Sequence, residues 1–121
     1  MSHLVRMEII TASSKVPSLI KRLAQVGAVG VTTFQALGCG IQKGTFEYEV
    51  EENKEVQLLP KTLLLVICEE EQVRDLVEAA KVELYTGHIG DGKILLSHID
   101  NVVRVRTGEE GSAAIQRSQL E

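Results

Sequence analysis

The sequence predicts an α+β domain in which a strand, helix, strand unit occurs twice, with two helices on one face of a single antiparallel sheet. Three observations carry that reading. Two segments, one from Val16 and one from Glu69, repeat apolar residues at helical spacing; apolar runs of strand length flank each of them; and glycine-rich or polar breaks separate the pieces.

The first strand is expected from Leu4 to Ile10, closed by the polar stretch TASSK. In the helix that follows, Val16, Leu19, Ile20, Leu23 and Val26 share one stripe, Pro17 suits a first turn and Gly27 suits the end. After Gly30 the run VTTFQALG reads as a second strand. From Cys39 to about Val56 glycines give way to acidic residues without core-forming periodicity, which fits either an acidic hairpin or a long exposed loop; a loop of that length in a small domain is usually functional or disordered. Pro60 stops that segment, and the apolar run from Thr62 to Cys68 is expected of a central strand. A second helix is predicted from Glu69 to about Leu84, with Val73, Leu76, Val77 and Ala80 buried and Glu69 to Glu71 favourable at its positive end. A glycine turn, a strand from Ile94 to Ile99 and an arginine-bearing strand complete the order. The sum is a ferredoxin-like βαββαβ sandwich whose second sheet face must be solvated or covered; dense Val and Leu on several strands favour an oligomer.

The most chemically suggestive segment is TGHIGDGKI, beginning at Thr86. Gly87, Gly90 and Gly92 permit turns closed to side-chained residues and can aim N–H groups at one anion, while Lys93 adds a mobile charge. Seven positions of a P-loop are matched, with Gly87, Gly92 and Lys93 in register, but Ile94 replaces the magnesium-binding Ser or Thr and strand follows instead of helix. A Walker-type NTPase is therefore disfavoured against another phosphate cradle, and an ordinary glycine turn explains the same residues. Further on, NVVRVRTGEE places Arg104 and Arg106 two apart, on one face of an extended chain, with Val103 and Val105 opposite. Such a pair is either solvated or gathered around an anion; with the glycine turn nearby, a polyphosphate is the better reading.

Composition narrows the classes. The 121 residues fit one domain, and 44% hydrophobic with 25% charged content is globular. A formal charge of −4 with 3% aromatic residues and no Trp speaks against a nucleic-acid binder. Cys39 and Cys68 lack metal-ligand spacing and suggest reduced thiols, although a disulfide is compatible with the sequence alone. The start is too short for a signal peptide and no apolar run approaches a membrane span, so a cytoplasmic protein without membrane insertion is expected.

The segments VGAVGVTTFQALGCGIQKG, LLPK, TGHIGDGKI and VVRVRTGEEGSAAI resemble those of the PII signal-transduction proteins, over nearly the whole chain and without gaps between Gly27 and Ile115. The resemblance implies one domain over residues 1–121 that forms a homotrimer with nucleotide sites in the clefts between subunits. It further implies a T-loop at about 39–56 that docks on a target protein, a B-loop at about 86–93 and a C-loop at about 104–115. Carried over, Gly90, Asp91, Gly92 and Lys93 would cradle the phosphates of ATP or ADP, with Arg104 and Arg106 reaching in from a neighbouring subunit. Thr32 and the Ile67 backbone would hold adenine, though strand packing alone explains both residues, and Gly38 and Gly40 would let the T-loop base approach the ligand. Gln42, Lys43 and Lys61 stand where 2-oxoglutarate-sensing members coordinate magnesium and the ligand's carboxylate, a role suited to an amide oxygen and an ammonium; a solvated charge after Pro60 is the other reading of Lys61.

The departures are specific. The usual YRGAEY tip, with its uridylylated tyrosine, is absent, Lys54 stands near that position and Tyr48 is out of register. Ile41, His88, Leu65 and TASSK replace an arginine, a lysine, an acidic residue and KPFK common in the family. The expected function is a non-enzymatic sensor in which ATP and ADP compete and bias the T-loop toward or away from a membrane transporter or a metabolic enzyme. Alternatives are an energy sensor without a 2-oxoglutarate response, a slow ATPase for which His88 and Asp91 are the only nearby bases, or a structural trimer that binds no nucleotide.

Overall fold

The computed structural model describes residues 3–39, 41–42, 45–46 and 57–116. Its elements are β1 (Leu4–Ala12), α1 (Val16–Gln25), β2 (Thr32–Gly38), the short β3 (Ile41–Gln42) and β4 (Thr45–Phe46), β5 (Leu59–Glu69), α2 (Val73–Leu84), β6 (Lys93–Ile99) and a single turn of helix, α3 (Ser112–Ile115). Four strands form one sheet in the order β2-β5-β1-β6, every neighbouring pair antiparallel. This is the ferredoxin-like βαββαβ arrangement the sequence predicts.

Strand alternation explains where the core lies. Val5, Met7 and Ile9 of β1 and Leu64, Val66 and Cys68 of β5 point to one face, where Leu19 and Leu23 of α1 and Leu76, Ala80 and Leu84 of α2 close over them. Each fully buried Leu or Ile contributes about 1.5–3 kcal/mol from apolar area removed from water, so this layer carries the fold. The buried hydroxyls of Thr11 and Thr62 are each hydrogen-bonded, to the Asp91 carbonyl at 3.1 Å and to Ser13 Oγ at 2.8 Å. Arg22 Nε donates to Glu83 at 2.7 Å, tying α1 to α2.

Neither α1 nor α2 covers the opposite sheet face, and the short α3 borders only its Leu65 and Ile67 corner. Arg6, Glu8 and Ile10 share it with Leu63, Leu65 and Ile67 and, by register, with Phe34 of β2 and Leu95 of β6, which are about half exposed.

Several sequence expectations change. β1 runs on through Thr11 and Ala12, and β5 begins at Leu59, with Pro60 inside it. Pro60 pairs with Leu37 of β2 but lies beyond the last β1 partner, Lys61, so it has a neighbour on one side only, a position that tolerates a missing N–H. Glu69 belongs to β5 and not to the helix: it caps a 3-10 turn over Glu70–Gln72 that leads into α2, Glu69 and Gln72 each accepting the other's backbone N–H. Of the α1 stripe, Val26 is 40% exposed because the chain has left the helix by that point.

The arginine-bearing segment is not a strand. Val103 makes one isolated bridge to Glu110, and the chain then reverses, Arg104 N–H donating to the Glu109 carbonyl and Gly108 N–H to the Arg104 carbonyl, both at 2.8 Å. Gly108, at φ +77°, supplies the reversal. Arg104 and Arg106 therefore do not share a sheet face, and Val103 and Val105 stay exposed, at 55% and 95%. Within the acidic segment the backbone of Ile41–Gln42 pairs with that of Thr45–Phe46. Gly40, Lys43 and residues 47–56, Tyr48 and Lys54 among them, lie outside the described residues, so most of the expected T-loop does too.

Candidate functional site

The antiparallel order brings the ends of β1 and β2 and the beginnings of β5 and β6 to one edge of the sheet. Ile10, Gly38, Cys39, Lys61 and the stretch from His88 to Lys93 line a cleft of about 420 Å³ there. Lys61 and Lys93 are thus brought beside Gly90, Asp91 and Gly92 by strands far apart in sequence. The chain of the acidic segment leaves β2 and re-enters β5 at this same edge.

Three glycines of the loop hold the predicted conformations, Gly87 at φ +85°, Gly90 at +104° and Gly92 at +117°. Gly92 is also pressed against β1: a Cβ there would meet the Ile10 carbonyl oxygen at 2.4 Å. The loop's interior is organised by Asp91. Its carboxylate accepts from the N–H groups of Thr86 and Gly87 at 2.8 and 2.9 Å and from the Thr86 hydroxyl at 2.5 Å, while His88 N–H donates to that hydroxyl's oxygen at 3.1 Å. The Thr86 hydroxyl first, then the two amides, hold the Asp91 carboxyl below the ordinary carboxylate value. Gly87 N–H is consequently directed at the loop's own Asp91 carboxylate, which corrects the expectation that it points at a bound anion. The stretch lining the cleft begins at His88.

A second cleft, of about 300 Å³, is lined by Val29, Gly30, Thr32, Leu65, Ile67, Arg104, Ala114 and Ile115. Thr32, Ile67 and Arg104, chosen from unrelated parts of the sequence, do meet here. The guanidinium of Arg104 donates to Glu109 Oε1 at 2.8 Å and to the Ala114 carbonyl at 3.0 Å, and also to the Gln116 carbonyl. The turn and α3 are fastened in place by Ser112 Oγ and Gln116 Nε2, which donate to the Glu69 carboxylate. Arg106 is exposed on the turn and does not line this cleft.

The expected site residues therefore fall into two groups. Gly38, Lys61, Gly90, Asp91, Gly92 and Lys93 surround one cleft; Thr32, Ile67 and Arg104 surround the other. Thr32 and Gly38 stand at opposite ends of β2, a span of roughly 20 Å at strand rise. Of the residues expected for 2-oxoglutarate, only the Lys61 side chain is described. Among the described residues no group of three His, Cys, Asp or Glu could hold a metal. Sequence reasoning gave no site role to Thr86, Thr11, Glu109 or Glu69; of these, only Thr86, five positions before Asp91 across a glycine loop, left a readable signal.

Comparison with known proteins agrees with this geometry. The family model described as Nitrogen regulatory protein P-II matches residues 4–109. The nitrogen regulatory protein P-II of Azospirillum brasilense is 38% identical over 110 residues, covering 91% of this chain and 98% of that protein. P-II 2 of Methanothermobacter thermautotrophicus is 37% identical over 106 residues, covering 88% and 92%. Among solved structures, the B. subtilis GlnK–ATP complex superposes with a TM-score of 0.78 at 31% identity, covering 94% of this chain and 98% of that one. Arabidopsis thaliana PII bound to citrate gives 0.76 at 27% identity, covering 93% and 92%. A glycine loop pinned to the first strand, a ferredoxin-like sheet and a match running from the first strand to the C-terminal turn agree, and the chain belongs to the nitrogen regulatory protein P-II family.

Proposed function

We propose that this chain is an adenine-nucleotide sensor whose site is assembled between subunits of a homotrimer, and that its T-loop carries the output to a target protein. The observation that carries this reading is the cationic cleft at the sheet edge, where Lys61 and Lys93 stand beside Gly90, Asp91 and Gly92 under the two roots of the acidic segment. A polyphosphate suits this cleft: ammonium groups neutralise it, and the glycine backbone lets it approach closely. The cleft with Thr32, Ile67 and Arg104 suits a planar base and lies too far along β2 to serve one nucleotide within a single chain. A neighbouring copy would bring it to the phosphates, with Arg104 and Arg106, and would cover the open sheet face bearing Phe34 and Leu95.

Magnesium would enter with the phosphates; by the family pattern Gln42 would hold it through an amide oxygen, and its chemistry there would be charge neutralisation. By the family pattern Gly40 would let the T-loop base approach the ligand, and Lys43 with Lys61 would meet a 2-oxoglutarate carboxylate. ATP and ADP shift the T-loop only through their differential affinity for its two states, which the γ-phosphate supplies. The target is a membrane transporter or a metabolic enzyme in the cytoplasm, and the protein turns over no substrate in this role.

Calorimetric titration with ATP and with ADP, each repeated with Mg²⁺ and 2-oxoglutarate, tests the reading. Micromolar binding of both nucleotides, with different hydrogen-exchange protection of residues 39–56, is the expected result. Tightening by 2-oxoglutarate makes the chain a carbon and nitrogen sensor, indifference to it an energy sensor. The absence of nucleotide binding refutes the reading.

A further inference from the structure

Asp91 is the only member of the glycine loop whose side chain is anionic, and it lines the cleft proposed above to hold a polyphosphate. Left facing the cleft, its carboxylate would repel a polyphosphate. It does not stand free: three donors from Thr86 and Gly87 converge on its two oxygens. Its main chain is held from the other side, where buried Thr11 of β1 donates to the Asp91 carbonyl at 3.1 Å. The next residue, Gly92, lies so close to the Ile10 carbonyl that a Cβ cannot fit. One residue therefore joins the rigid end of β1 to the start of an exposed loop. Thr86 completes the arrangement, because its hydroxyl donates to Asp91 while its oxygen accepts from His88 N–H.

We propose that Asp91 and Thr86 form a clasp that positions the loop for its anionic ligand, with the Asp91 carboxylate turned inward as an organiser and no contact to the phosphates made by it. The proposal rests on the nucleotide reading above and adds a division of labour within the motif. The N–H groups of residues 86–88 are taken up within the loop, and of this motif the ligand meets the cleft-lining stretch from His88 to Lys93, the Asp91 carboxylate excepted. Without the clasp the loop samples other conformations, and apparent affinity falls in proportion to the fraction still competent.

The test combines ATP titration with amide hydrogen exchange of the nucleotide-free protein for the wild type, Asp91→Ala, Thr86→Val, Thr86→Ser and the Asp91→Ala/Thr86→Val double variant. Expected is about tenfold weaker ATP binding in each disruptive single variant, as for a loop competent roughly a tenth of the time. Thr86→Ser should rescue binding, and the double variant should be no weaker than the singles because both break one unit. The amides of residues 86 and 87 should lose protection in Asp91→Ala while the core strands keep theirs. Thr86→Val stands alone as the test if Asp91→Ala does not fold. Full ATP affinity with the clasp broken overturns the positioning role, and unchanged exchange at residues 86 and 87 overturns the clasp. Wild-type protein that binds no ATP overturns the nucleotide reading and the positioning role together, a result distinct from either.

Discussion

Replacing Gly92 by Ala should be among the most damaging single-methyl changes available in this chain, and the structure gives the size of the effect. The backbone there is at φ +117°, closed to side-chained residues, which costs about 1–2 kcal/mol. The new Cβ would also stand 2.4 Å from the Ile10 carbonyl oxygen and 3.2 Å from Thr11 Cβ, well inside an ordinary contact of about 3.5–4.0 Å. Its nearest obstacle is backbone inside a paired strand, so relief requires the loop to lift off β1, a strain of about 1–3 kcal/mol by comparison with overpacked cores. We expect about 3 kcal/mol of lost stability in urea unfolding at fixed protein concentration without ligand, with an unchanged denaturant slope. Gly108→Ala separates the two contributions, because Gly108 sits at φ +77° with nothing within 4 Å of the added carbon; it should lose only the conformational part, about 1–2 kcal/mol. Gly92→Ala at wild-type stability, or no worse than Gly108→Ala, would refute the close packing of the loop on β1.

The two thiols should differ sharply in native protein. Cys39 is exposed, whereas Cys68 is 2% exposed, and burial, then the nearby Glu69 charge, push its thiol pKa up; one thiol should react rapidly with a disulfide reagent and the second only on unfolding, and two rapid thiols would contradict the packing of β5. Acid should weaken the fold partly through Glu83, whose carboxyl is held below its ordinary value by the Arg22 hydrogen bond first and the Ser18 hydroxyl next. A depressed folded pKa stabilises above the unfolded value and loses that contribution as pH falls through the folded one, so between about pH 5 and pH 2 wild type should lose stability more steeply than Arg22→Met. The difference will be small because the pair is near the surface, and parallel curves would show that it contributes nothing measurable.

The sheet was legible in two ways: in β1 Val5, Met7 and Ile9 alternate with Arg6 and Glu8 as a half-covered strand must, whereas β5 was readable as a continuous apolar run from Thr62 to Cys68, of which Leu64, Val66 and Cys68 enter the core. The stretch from Val103 to Arg106 also alternates Val with Arg, yet it forms no strand, because alternation records which face a residue takes and carries no information on whether a partner strand is available. Glu69 to Glu71 read as a helix start because acidic residues favour that end; the mutual cap with Gln72 delays α2 to Val73. At the site, Gly90, Gly92 and Lys93 announce themselves by residue type. Thr32 and Ile67 are ordinary strand residues, and only the resemblance selected them, because a cleft lined by β2, β5 and the C-terminal turn is a product of tertiary packing.

Topology supplies the final step of the proposed mechanism. Because β1 and β2 end where β5 and β6 begin, the glycine loop and both ends of the acidic segment sit at one edge, and Gly38, Lys61 and Lys93 line one cleft there. A charge placed in that cleft would act directly on Gly38, Cys39 and Lys61, which line it at the two ends of the acidic segment, so no long-range pathway is required. The Arg104 cleft lies a strand's length away, where the guanidinium already holds Glu109 and the carbonyls of the C-terminal segment. In the proposed trimer, a γ-phosphate competing with Glu109 for Arg104 would loosen that turn in one subunit while neutralising lysines under the T-loop of its neighbour. One ligand would then bias elements of two subunits at once, which gives the sites of the three copies a physical means of sensing one another.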